Sequence, residues 1–380
     1  MRIVIAPDSF KGSATAVDAA RALADGWRQE RPHDHLDIAP MADGGEGTVD
    51  AAAAALPRAE LRRTRVTGPD GREVDARWLL LPDDGGPRTA LVELAEASGL
   101  LLLDTPAPLT AHTLGLGQVM RAALDAGAER LLIAVGGSCS TDGGAGALLG
   151  LGATLVDEGG QRVPLGNAGL HQLAGVDLGT AVPPPAGGAL ALSDVDNPLL
   201  GDRGAVTVFG PQKGIDDSTA HDAERALERF AALVDPNGES ASEPGAGAAG
   251  GTAFGLRAWG AQLTSGARTV AQTIGLPDLI AEADLVITGE GRFDGQSAGG
   301  KAPAEVARLA QVAGVPCALV AGSVDGGAST GMFVEVRALD ELAGSTREAI
   351  DDPLTWLRAA AARLAAVHGA DDVAAPRDDP

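Results

Sequence analysis

Carboxylates recur in five short stretches of the chain, PDSFKGS, MADGGEGT, VGGSCSTDGG, DVDNP and GEGRFDGQSAGGK; glycines accompany them in all but DVDNP, and a Lys or Arg accompanies them in the first and the last. In such stretches a carboxylate can bind Mg²⁺ or take up a proton, while glycine N–H groups beside a Lys or Arg can hold phosphate. Asp–Gly and Gly–Gly pairs are also ordinary turn residues, so the prediction rests on the repeated combination. The candidate residues in these stretches are Lys11, Asp43, Gly136, Gly137, Ser138, Asp194, Asp196, Glu290, Arg292, Asp294 and Lys301.

One of these stretches, ITGEGRFDGQSAGGKAP, has the spacing of a phosphate-binding P-loop, because Gly295 precedes Lys301 by the required interval. A P-loop also needs a Ser or Thr hydroxyl for magnesium, and Ala302 stands in that place. The strand before it is predicted to end near Thr288, several residues too early. We therefore expect a different phosphate site, in which glycine N–H groups, a helix N-terminus and Lys301 act together. The plain alternative is a lysine in a surface loop.

Asp194 and Asp196, with Asn197 beside them, offer hard oxygen ligands of the kind that magnesium accepts. The stretch does not match the calcium-loop pattern, which needs a longer acidic series and a terminal Glu. The structural alternative is an Asx-turn before Pro198. The sequence therefore predicts a magnesium site here, with the turn left open as the alternative.

Composition limits the class of protein. The chain has 380 residues and a net charge of −23, and its length predicts two or three folded domains. Because 45% of its residues are apolar but only 3% are aromatic, their cores must consist of Ala, Val and Leu. The negative charge argues against nucleic acid as a partner but not against a small anionic substrate. Two cysteines, without a disulfide framework, favour a reducing cytoplasm. No apolar stretch approaches the ~20 residues of a membrane helix, and no signal peptide is expected.

Both ends of the chain show the alternating strands and helices of an α/β protein. A buried strand is predicted over Ile3 to Ala6, followed by a helix that Ser13 caps. Near the other end, a strand over Asp284 to Thr288 precedes a helix with Pro303 in its first turn, and Val315 to Ala321 forms another strand. This order favours parallel strands with right-handed crossovers. Ligands of such sheets bind beyond the carboxyl ends of the strands, where the polar stretches fall.

The middle of the chain has a different pattern. Arg65 to Leu81 resembles a β-hairpin, and Leu131 to Val135 and Ala189 to Leu192 are predicted as buried strands that lead into polar loops. The similar ends and the different middle indicate one discontinuous domain interrupted by a second. The predicted ranges are 1–64 with 281–380 for the first domain and 65–280 for the inserted α/β domain.

Taken together, eight motifs resemble the bacterial glycerate kinases of type 1 (garK/glxK-like). In order they are APDSFKGS, PMADGGEGT, ELAEASGL, VGGSCSTDGG, DVDNPLLG, VFGPQKG, PGAGAAGG and ITGEGRFDGQSAGGKAP. They run in the family's order from Ala6 to Pro303. One departure is Cys139-Ser140-Thr141, where the family usually has Ala-Thr-Asn, ahead of an intact Asp142.

The resemblance implies ATP-dependent phosphorylation of D-glycerate, with Mg²⁺, by a cytoplasmic enzyme. It also implies a Rossmann-like (flavodoxin-like) parallel-sheet domain interrupted by a second, inserted α/β domain, with the active site in the cleft between them. Within this family the 2-hydroxyl is the favoured acceptor over the 3-hydroxyl. No nucleic acid or membrane partner is expected, and a homodimer is possible.

Lysine placement adds to the assignment of roles, because Lys11, Lys213 and Lys301 are the chain's only lysines and all lie in the motifs. In a chain that otherwise uses Arg, this suggests point-charge contacts with phosphate or carboxylate. We expect phosphate to be bound by Gly136, Gly137, Ser138, Lys213 and Lys301, and magnesium by Asp194 and Asp196. Lys11 and Arg292 are expected to contact the glycerate carboxylate or the moving phosphoryl group. Asp43, Glu290 or Asp294 is expected to orient or deprotonate the attacking hydroxyl.

Two other functions stay open at this stage. One is a kinase that acts on another small hydroxy acid or sugar acid. The other is a non-catalytic sensor that binds glycerate or nucleotide without turnover.

Overall fold

The computed structural model describes residues 1–295 and 301–373. The chain divides into two compact units, each made of more than one segment of the sequence. The first unit comprises Met1–Asp43, Asp50–Pro57 and Ala267–Pro380, and the second comprises Gly44–Val49 and Arg58–Gly266.

Strands and helices alternate along most of the described chain, as expected for an α/β protein. The strands are β1 Arg2–Ile5, β2 His35–Ile38, β3 Glu60–Thr67, β4 Glu73–Leu80, β5 Thr89–Glu93, β6 Arg130–Ala134, β7 Thr154–Val156, β8 Gly175–Asp177, β9 Ala189–Leu192, β10 Gln262–Thr264, β11 Leu285–Phe293, β12 Cys317–Val324 and β13 Glu335–Ala338. The α-helices are α1 Ala16–Glu30, α2 Thr48–Ala55, α3 Ala95–Ser98, α4 Leu114–Asp125, α5 Ala145–Leu151, α6 Ala205–Phe209, α7 Ala220–Val234, α8 Thr252–Trp259, α9 Gly266–Thr273, α10 Leu276–Ala281, α11 Ala302–Ala313, α12 Leu339–Ala343, α13 Thr346–Asp351 and α14 Pro353–Val373. Short 3₁₀ helices cover Leu100–Leu102, Asn167–Gln172 and Pro211–Lys213.

The first unit contains a five-stranded sheet in the order β13-β12-β11-β1-β2, in which every neighbouring pair is parallel. Ile5 pairs with Ile287 of β11 and with Ile38 of β2, so β1 is an interior strand with a parallel neighbour on each side. Its apolar side chains are buried, as central parallel strands require. The predicted parallel strand order at the two ends of the chain is confirmed.

The second unit contains a mixed sheet of six strands in the order β10-β9-β6-β5-β4-β3. The hairpin predicted over Arg65 to Leu81 is confirmed, because β3 and β4 pair antiparallel with Val66 opposite Val74. The buried strands predicted at Leu131 and Ala189 are confirmed as β6 and β9, which pair in parallel. A separate two-stranded sheet is formed by β7 and β8.

Helix α1 shows why its sequence folds as it does, and it corrects one prediction. Thr15 is its N-cap, since the Thr15 hydroxyl oxygen accepts a hydrogen bond from the Asp18 N–H at 3.0 Å. Ser13 was expected in that role, but its hydroxyl donates to the Phe10 carbonyl at 3.0 Å within the preceding turn. The buried face of the helix includes Trp27.

Strand β11 is longer than predicted, because two glycines that resemble loop residues in the sequence lie within the strand. The strand was expected to end near Thr288, yet it continues to Phe293 and stays paired with β12 to that point. Gly289 and Gly291 resemble loop residues in the sequence, but a Cβ on Gly289 would overlap the Val320 carbonyl oxygen of β12. Glycine is therefore needed for close strand approach here. Glu290, between these glycines, is a strand residue rather than a loop residue.

In the part of the chain that the structure describes, no helix combines the length and the apolar character needed to cross a lipid bilayer.

Helices α1 and α14 pack closely at Gly26, and this contact predicts a stability change. A Cβ on Gly26 would overlap the Arg358 carbonyl oxygen. Gly26→Ala should therefore lower the free energy of unfolding by about 1–3 kcal/mol through overpacking, despite a gain of up to ~1 kcal/mol in helix propensity. Thermal unfolding followed by circular dichroism measures the change. The control is Asp25→Ala on the exposed face, expected within ~0.5 kcal/mol of the natural chain; a Gly26→Ala variant as stable as this control would contradict the packing.

Candidate active site

A pocket of about 620 Å³ opens at the carboxyl ends of the parallel strands of the first unit. Residues that follow β1 and β2 line it together with the last residues of β11 and β12. It brings together six of the predicted site residues, namely Lys11, Asp43, Glu290, Arg292, Asp294 and Lys301. The structure thus gathers side chains that are nearly 300 positions apart in the sequence.

Three carboxylates meet in this pocket because of strand register. Asp8 follows β1, and its N–H donates to the Gly289 carbonyl of β11 at 2.8 Å, which extends the pairing of the two strands. Continued from the pair Ile5 and Ile287, this register sets Asp8 beside Glu290. Asp43 follows β2 on the other side of β1 and lines the same pocket. The acidic groups are therefore neighbours on three adjacent strands.

Burial and like charges perturb this group of residues. Asp8 is only 6% exposed, and its pKa is raised to about 8, first by burial and then by the negative charge of Asp43. Lys11 provides the nearest positive charge, with its Nζ 3.5 Å from Asp43 Oδ2. The pKa of Lys11 is raised in turn, chiefly by Asp43. The pocket therefore favours bound protons and cations.

Arg292 projects from β11 at the mouth of the pocket. Its guanidinium makes two hydrogen bonds to Asp325, from Nε to Oδ1 at 3.1 Å and from Nη2 to Oδ2 at 2.8 Å. This exposed pair holds the guanidinium in a geometry that also suits a bidentate contact with another carboxylate. A substrate carboxylate would have to share the Arg292 guanidinium with Asp325 or displace Asp325 from it.

Lys301 lies at the start of α11 and lines the pocket. It is the N-cap residue of this 12-residue helix, and its side chain makes no capping hydrogen bond. The helix begins with Pro303 in its first turn and ends at Gly314, which has a φ of 72°, as predicted. The rest of the predicted glycine loop, residues 296–300, lies outside the described residues.

In the second unit, the glycine–serine loop that follows β6 is tightly built. Gly136 donates its N–H to the Gly44 carbonyl at 3.0 Å, and a Cβ on Gly136 would come within 2.5 Å of Gly45 Cα. Gly137 has a φ of 77°, which favours glycine. Ser138 is buried, and its hydroxyl is 3.1 Å from the Ser140 hydroxyl. The loop conformation therefore depends on its glycines, as the sequence suggested.

Lys213 does not reach solvent in this structure. Its side chain is 2% exposed, and Nζ donates to the Ser140 carbonyl at 2.6 Å. Burial lowers its pKa to about 8, although Cys139 and Asp142 oppose that shift. The ammonium thus ties the 3₁₀ turn at Pro211–Lys213 to the glycine–serine loop, and a direct phosphate contact by Lys213 stays a prediction.

Asp194 and Asp196 follow β9 but are engaged by different partners. Asp194 Oδ1 accepts a hydrogen bond from the Gly266 N–H at 3.0 Å. Asp196 is 77% exposed and pairs with Arg203 at 3.0 Å. Among the described residues, no group of three or more His, Cys, Asp or Glu side chains forms a metal cage. Magnesium sites in kinases commonly use one or two carboxylates together with phosphate oxygens, so this arrangement remains compatible with Mg²⁺.

Two residues important to the site were not among those predicted. Asp8 lay in the motif PDSFKGS, and its place shortly after the first predicted strand was the signal that could have selected it. Glu93, in the motif ELAEASGL, is buried and accepts hydrogen bonds from the Gly47 and Val49 N–H groups at 2.9 and 2.8 Å. It thereby holds the MADGGEGT loop, and an acidic residue at a strand end was its signal.

The parallel sheet, the pocket at its carboxyl edge and the facing carboxylates and cations define an α/β enzyme class that acts on a small anionic substrate. Comparison with known proteins identifies the family. A model of the glycerate kinase family matches residues 3–369. The chain is 43% identical over 331 residues to a glycerate kinase of Halalkalibacterium halodurans, which covers 86% of both chains.

Two further similarities agree with this. The chain is 40% identical over 330 residues to the glycerate 2-kinase of Escherichia coli strain K12, covering 85% of this chain and 86% of that one. The crystal structure of a protein assigned as glycerate kinase 2 from Salmonella typhimurium LT2 superposes with a TM-score of 0.82 and 36% identity, covering 99% of this chain and 100% of that chain. The chain belongs to the glycerate kinase family. It is a glycerate kinase, a phosphotransferase with an alcohol group as acceptor, and a kinase of this family implies ATP as donor.

The buried Lys213 predicts a pH-dependent stability. Since its pKa is about 8 when folded and 10.5 for an ordinary lysine, the folded state binds this proton more weakly than the unfolded chain. Its contribution to stability is thus present above pH 10.5 and is lost as pH falls through 8. Relative to Lys213→Met, the natural chain should gain up to about 3 kcal/mol between pH 7 and 10.5.

Urea unfolding of both proteins at several pH values measures this difference. The control is Arg28→Met, which removes a half-exposed cation of helix α1 and should leave the difference flat between pH 7 and 10. Parallel pH profiles for the natural chain and Lys213→Met would contradict the burial of a titrating ammonium.

Proposed function

We propose that the chain transfers the terminal phosphoryl group of ATP to the 2-hydroxyl of D-glycerate by in-line displacement, with magnesium. The observation that carries this is the pocket of the first unit, where the cations Lys11, Arg292 and Lys301 face a group of carboxylates. Phosphoryl transfer needs alignment and charge neutralisation more than covalent chemistry, and this pocket offers both. A volume of about 620 Å³ lies within the usual range for small-molecule sites.

Lys11 and Arg292 are the residues that we assign to the glycerate carboxylate or the transferred phosphoryl group. Each already faces a carboxylate, Asp43 and Asp325 respectively, so each can exchange one anionic partner for another. The Arg292 pair suits a planar carboxylate, because its two nitrogens lie side by side. Both side chains are exposed enough to reach a bound ligand.

Phosphate binding is assigned to Lys301 and the start of α11 in the first unit, and to the glycine–serine loop of Gly136, Gly137 and Ser138 in the second. Lys301 adds a positive charge at a helix N-terminus whose N–H groups favour anions. Lys213 is assigned to the same loop, and its burial supports a positioning role through the Ser140 carbonyl.

Magnesium, when bound, would neutralise charge on the phosphates of ATP. We assign its protein ligands to Asp194 and Asp196, the carboxylates that follow β9. Asp194 is held in place by the Gly266 N–H, and Asp196 is exposed and can exchange Arg203 for a metal ion. Phosphate oxygens and waters would complete the octahedral set that this ion prefers.

Asp43, Glu290 and Asp294 are the residues assigned to orientation or deprotonation of the attacking hydroxyl. All three line the pocket beside Lys11 and Arg292. A carboxylate beside a reacting hydroxyl contributes about 10²–10⁴-fold when it transfers the proton.

The fold supports the same assignment. Numbered in the order of the first unit alone, its strands run 2-1-3-4-5, the doubly wound flavodoxin-like order, so we assign this unit to the Rossmann-like class. The predicted domains, 1–64 with 281–380 and the inserted 65–280, are proposed to correspond to the two compact units. Both cysteines are free and buried, in keeping with the proposed cytoplasmic location. A homodimer stays a prediction.

The product of the reaction tests the proposal directly. With D-glycerate and ATP, phosphorus NMR should show a proton-coupled doublet, because a phosphate on the 2-oxygen is next to a carbon with one hydrogen. A triplet would place the phosphate on the 3-oxygen and overturn the assigned position. ADP release without any phosphoglycerate would overturn the function. The control reaction omits glycerate and should show only slow ATP hydrolysis.

Lys301→Ala tests the phosphate assignment. Loss of one charge-assisted contact should weaken ATP binding by at least ~10-fold, since such contacts contribute ~1.5–3 kcal/mol. Isothermal titration calorimetry with ATP measures the affinity. The control is Arg28→Ala, which removes a cation from the exposed side of α1 outside the pocket and should leave the affinity unchanged. Equal ATP affinity in the natural chain and Lys301→Ala would remove Lys301 from the site.

A further inference from the structure

We propose that Asp8 is the catalytic residue that accepts the proton of the attacking glycerate hydroxyl. This inference rests on the proposed function, because it takes the pocket of the first unit as the place where glycerate reacts. It goes beyond that function by naming the proton acceptor, a residue that was not among the predicted site residues.

The backbone fixes Asp8 between the ends of β11 and β2, the two neighbours of β1. Its N–H donates to the Gly289 carbonyl of β11 at 2.8 Å, and the preceding Pro7 carbonyl accepts from the Met41 N–H on the β2 side at 2.8 Å. Asp8 is therefore held between two strands at the point where the strand order reverses. In doubly wound sheets this switch point is where ligands bind.

The carboxyl group of Asp8 leaves one oxygen available to a ligand. Oδ1 accepts a hydrogen bond from the Ser9 N–H at 2.6 Å. No donor in residues 1–295 or 301–373 makes a hydrogen bond to Oδ2, although the residue lines the pocket. A proton acceptor must lie within hydrogen-bond reach of the hydroxyl that it deprotonates, and this oxygen satisfies that need.

The surroundings make Asp8 a stronger base than an ordinary carboxylate. Burial and the charges of Asp43 and Glu290 raise its pKa to about 8, against the opposing effects of the Ser9 N–H and Lys11. These groups come from the segments after β1 and β2 and from β11. Five more charged residues line the same pocket, namely Arg292, Asp294, Lys301, Asp325 and Asp340. A base whose pKa lies near the working pH is the most effective.

Asp43 is less suited to the same task. Its Oδ2 faces Lys11 Nζ at 3.5 Å, so this oxygen already has a cationic partner, whereas Asp8 Oδ2 accepts no hydrogen bond from the described residues. We therefore assign Asp43 to holding Lys11, and proton transfer to its neighbour Asp8.

The proton leaves the glycerate hydroxyl during the phosphoryl transfer itself. The glycerate hydroxyl oxygen forms a bond to the γ-phosphorus of ATP while the bond from that phosphorus to the ADP oxygen breaks. The hydroxyl proton moves to Asp8 Oδ2, which is ionised at the start of the step. After phosphoglycerate and ADP leave, Asp8 returns the proton to water, and the residue is ready for the next turnover.

Asp8→Asn tests this assignment, because Asn has nearly the same shape but cannot accept the proton. At saturating ATP, kcat should fall by about 10²–10⁴-fold, while KM for D-glycerate changes by less than about threefold. In the natural chain kcat should rise with pH and level off above about 8, since only the ionised carboxylate is active. For Asp8→Glu, kcat should still rise with pH, but its maximum value should be lower.

Stability supplies a readout that a purely structural role would not give. Because the pKa of Asp8 is raised in the folded state, its contribution to stability is present below pH 4 and is lost as pH rises toward 8. Asp8→Asn should therefore melt about 5 °C or more above the natural chain at pH 8, with no gain near pH 4. A residue needed only for packing would lose stability on substitution.

The matched control is Asp37→Asn in β2. Asp37 is also a half-buried carboxylate of the first unit, but it pairs with Arg2 at 2.7 Å outside the pocket. Its loss should leave kcat unchanged and should not raise the melting temperature. Asp8→Asn that retains kcat within threefold, or that loses activity only through KM, would overturn the assignment of Asp8. A natural chain that forms no phosphoglycerate would instead overturn the proposed function.

Discussion

The crowding of negative charge at the carboxyl edge of one parallel sheet is the constraint on which the rest of this molecule depends. Asp8, Asp43 and Glu290 follow or end adjacent strands, so the register that aligns the sheet also brings their carboxylates together. Such a group is stable only where protons or cations offset the repulsion. Lys11 supplies one cation, and the raised pKa of Asp8 shows that a proton supplies part of the remainder.

The same constraint explains how an enzyme with a net charge of −23 can bind two anions. Local cations matter more than the overall charge, because interactions across a few ångströms in a pocket exceed those screened by solvent. Lys11, Arg292 and Lys301 line the pocket of the first unit and are drawn from three separate segments. Each lies beside a carboxylate or at a helix terminus, so these cations already offset negative charge before any substrate binds.

The loops of the second unit are held by buried acceptors rather than by exposed charge. Asp142 accepts hydrogen bonds from Thr113 and from the N–H groups of Gly144 and Gly146. Glu93 likewise accepts hydrogen bonds from the N–H groups of Gly47 and Val49. Unpaired N–H groups in such loops would be costly, so these carboxylates stabilise the glycine-rich turns. Glycines permit the loops to approach one another closely, while the buried acids keep them in one conformation.

The sequence by itself determined the family, the α/β alternation, the hairpin from Arg65 to Leu81 and six of the charged residues that line the pocket, because motifs and apolar runs are local patterns. Tertiary structure alone decided the rest. Strand pairing carried β11 past glycines that resemble a turn, and turn geometry gave the helix cap to Thr15. Burial withdrew Lys213 from solvent and, together with the neighbouring carboxylates, raised the pKa of Asp8. These outcomes depend on neighbours distant in the chain, so no local pattern of residue types could specify them.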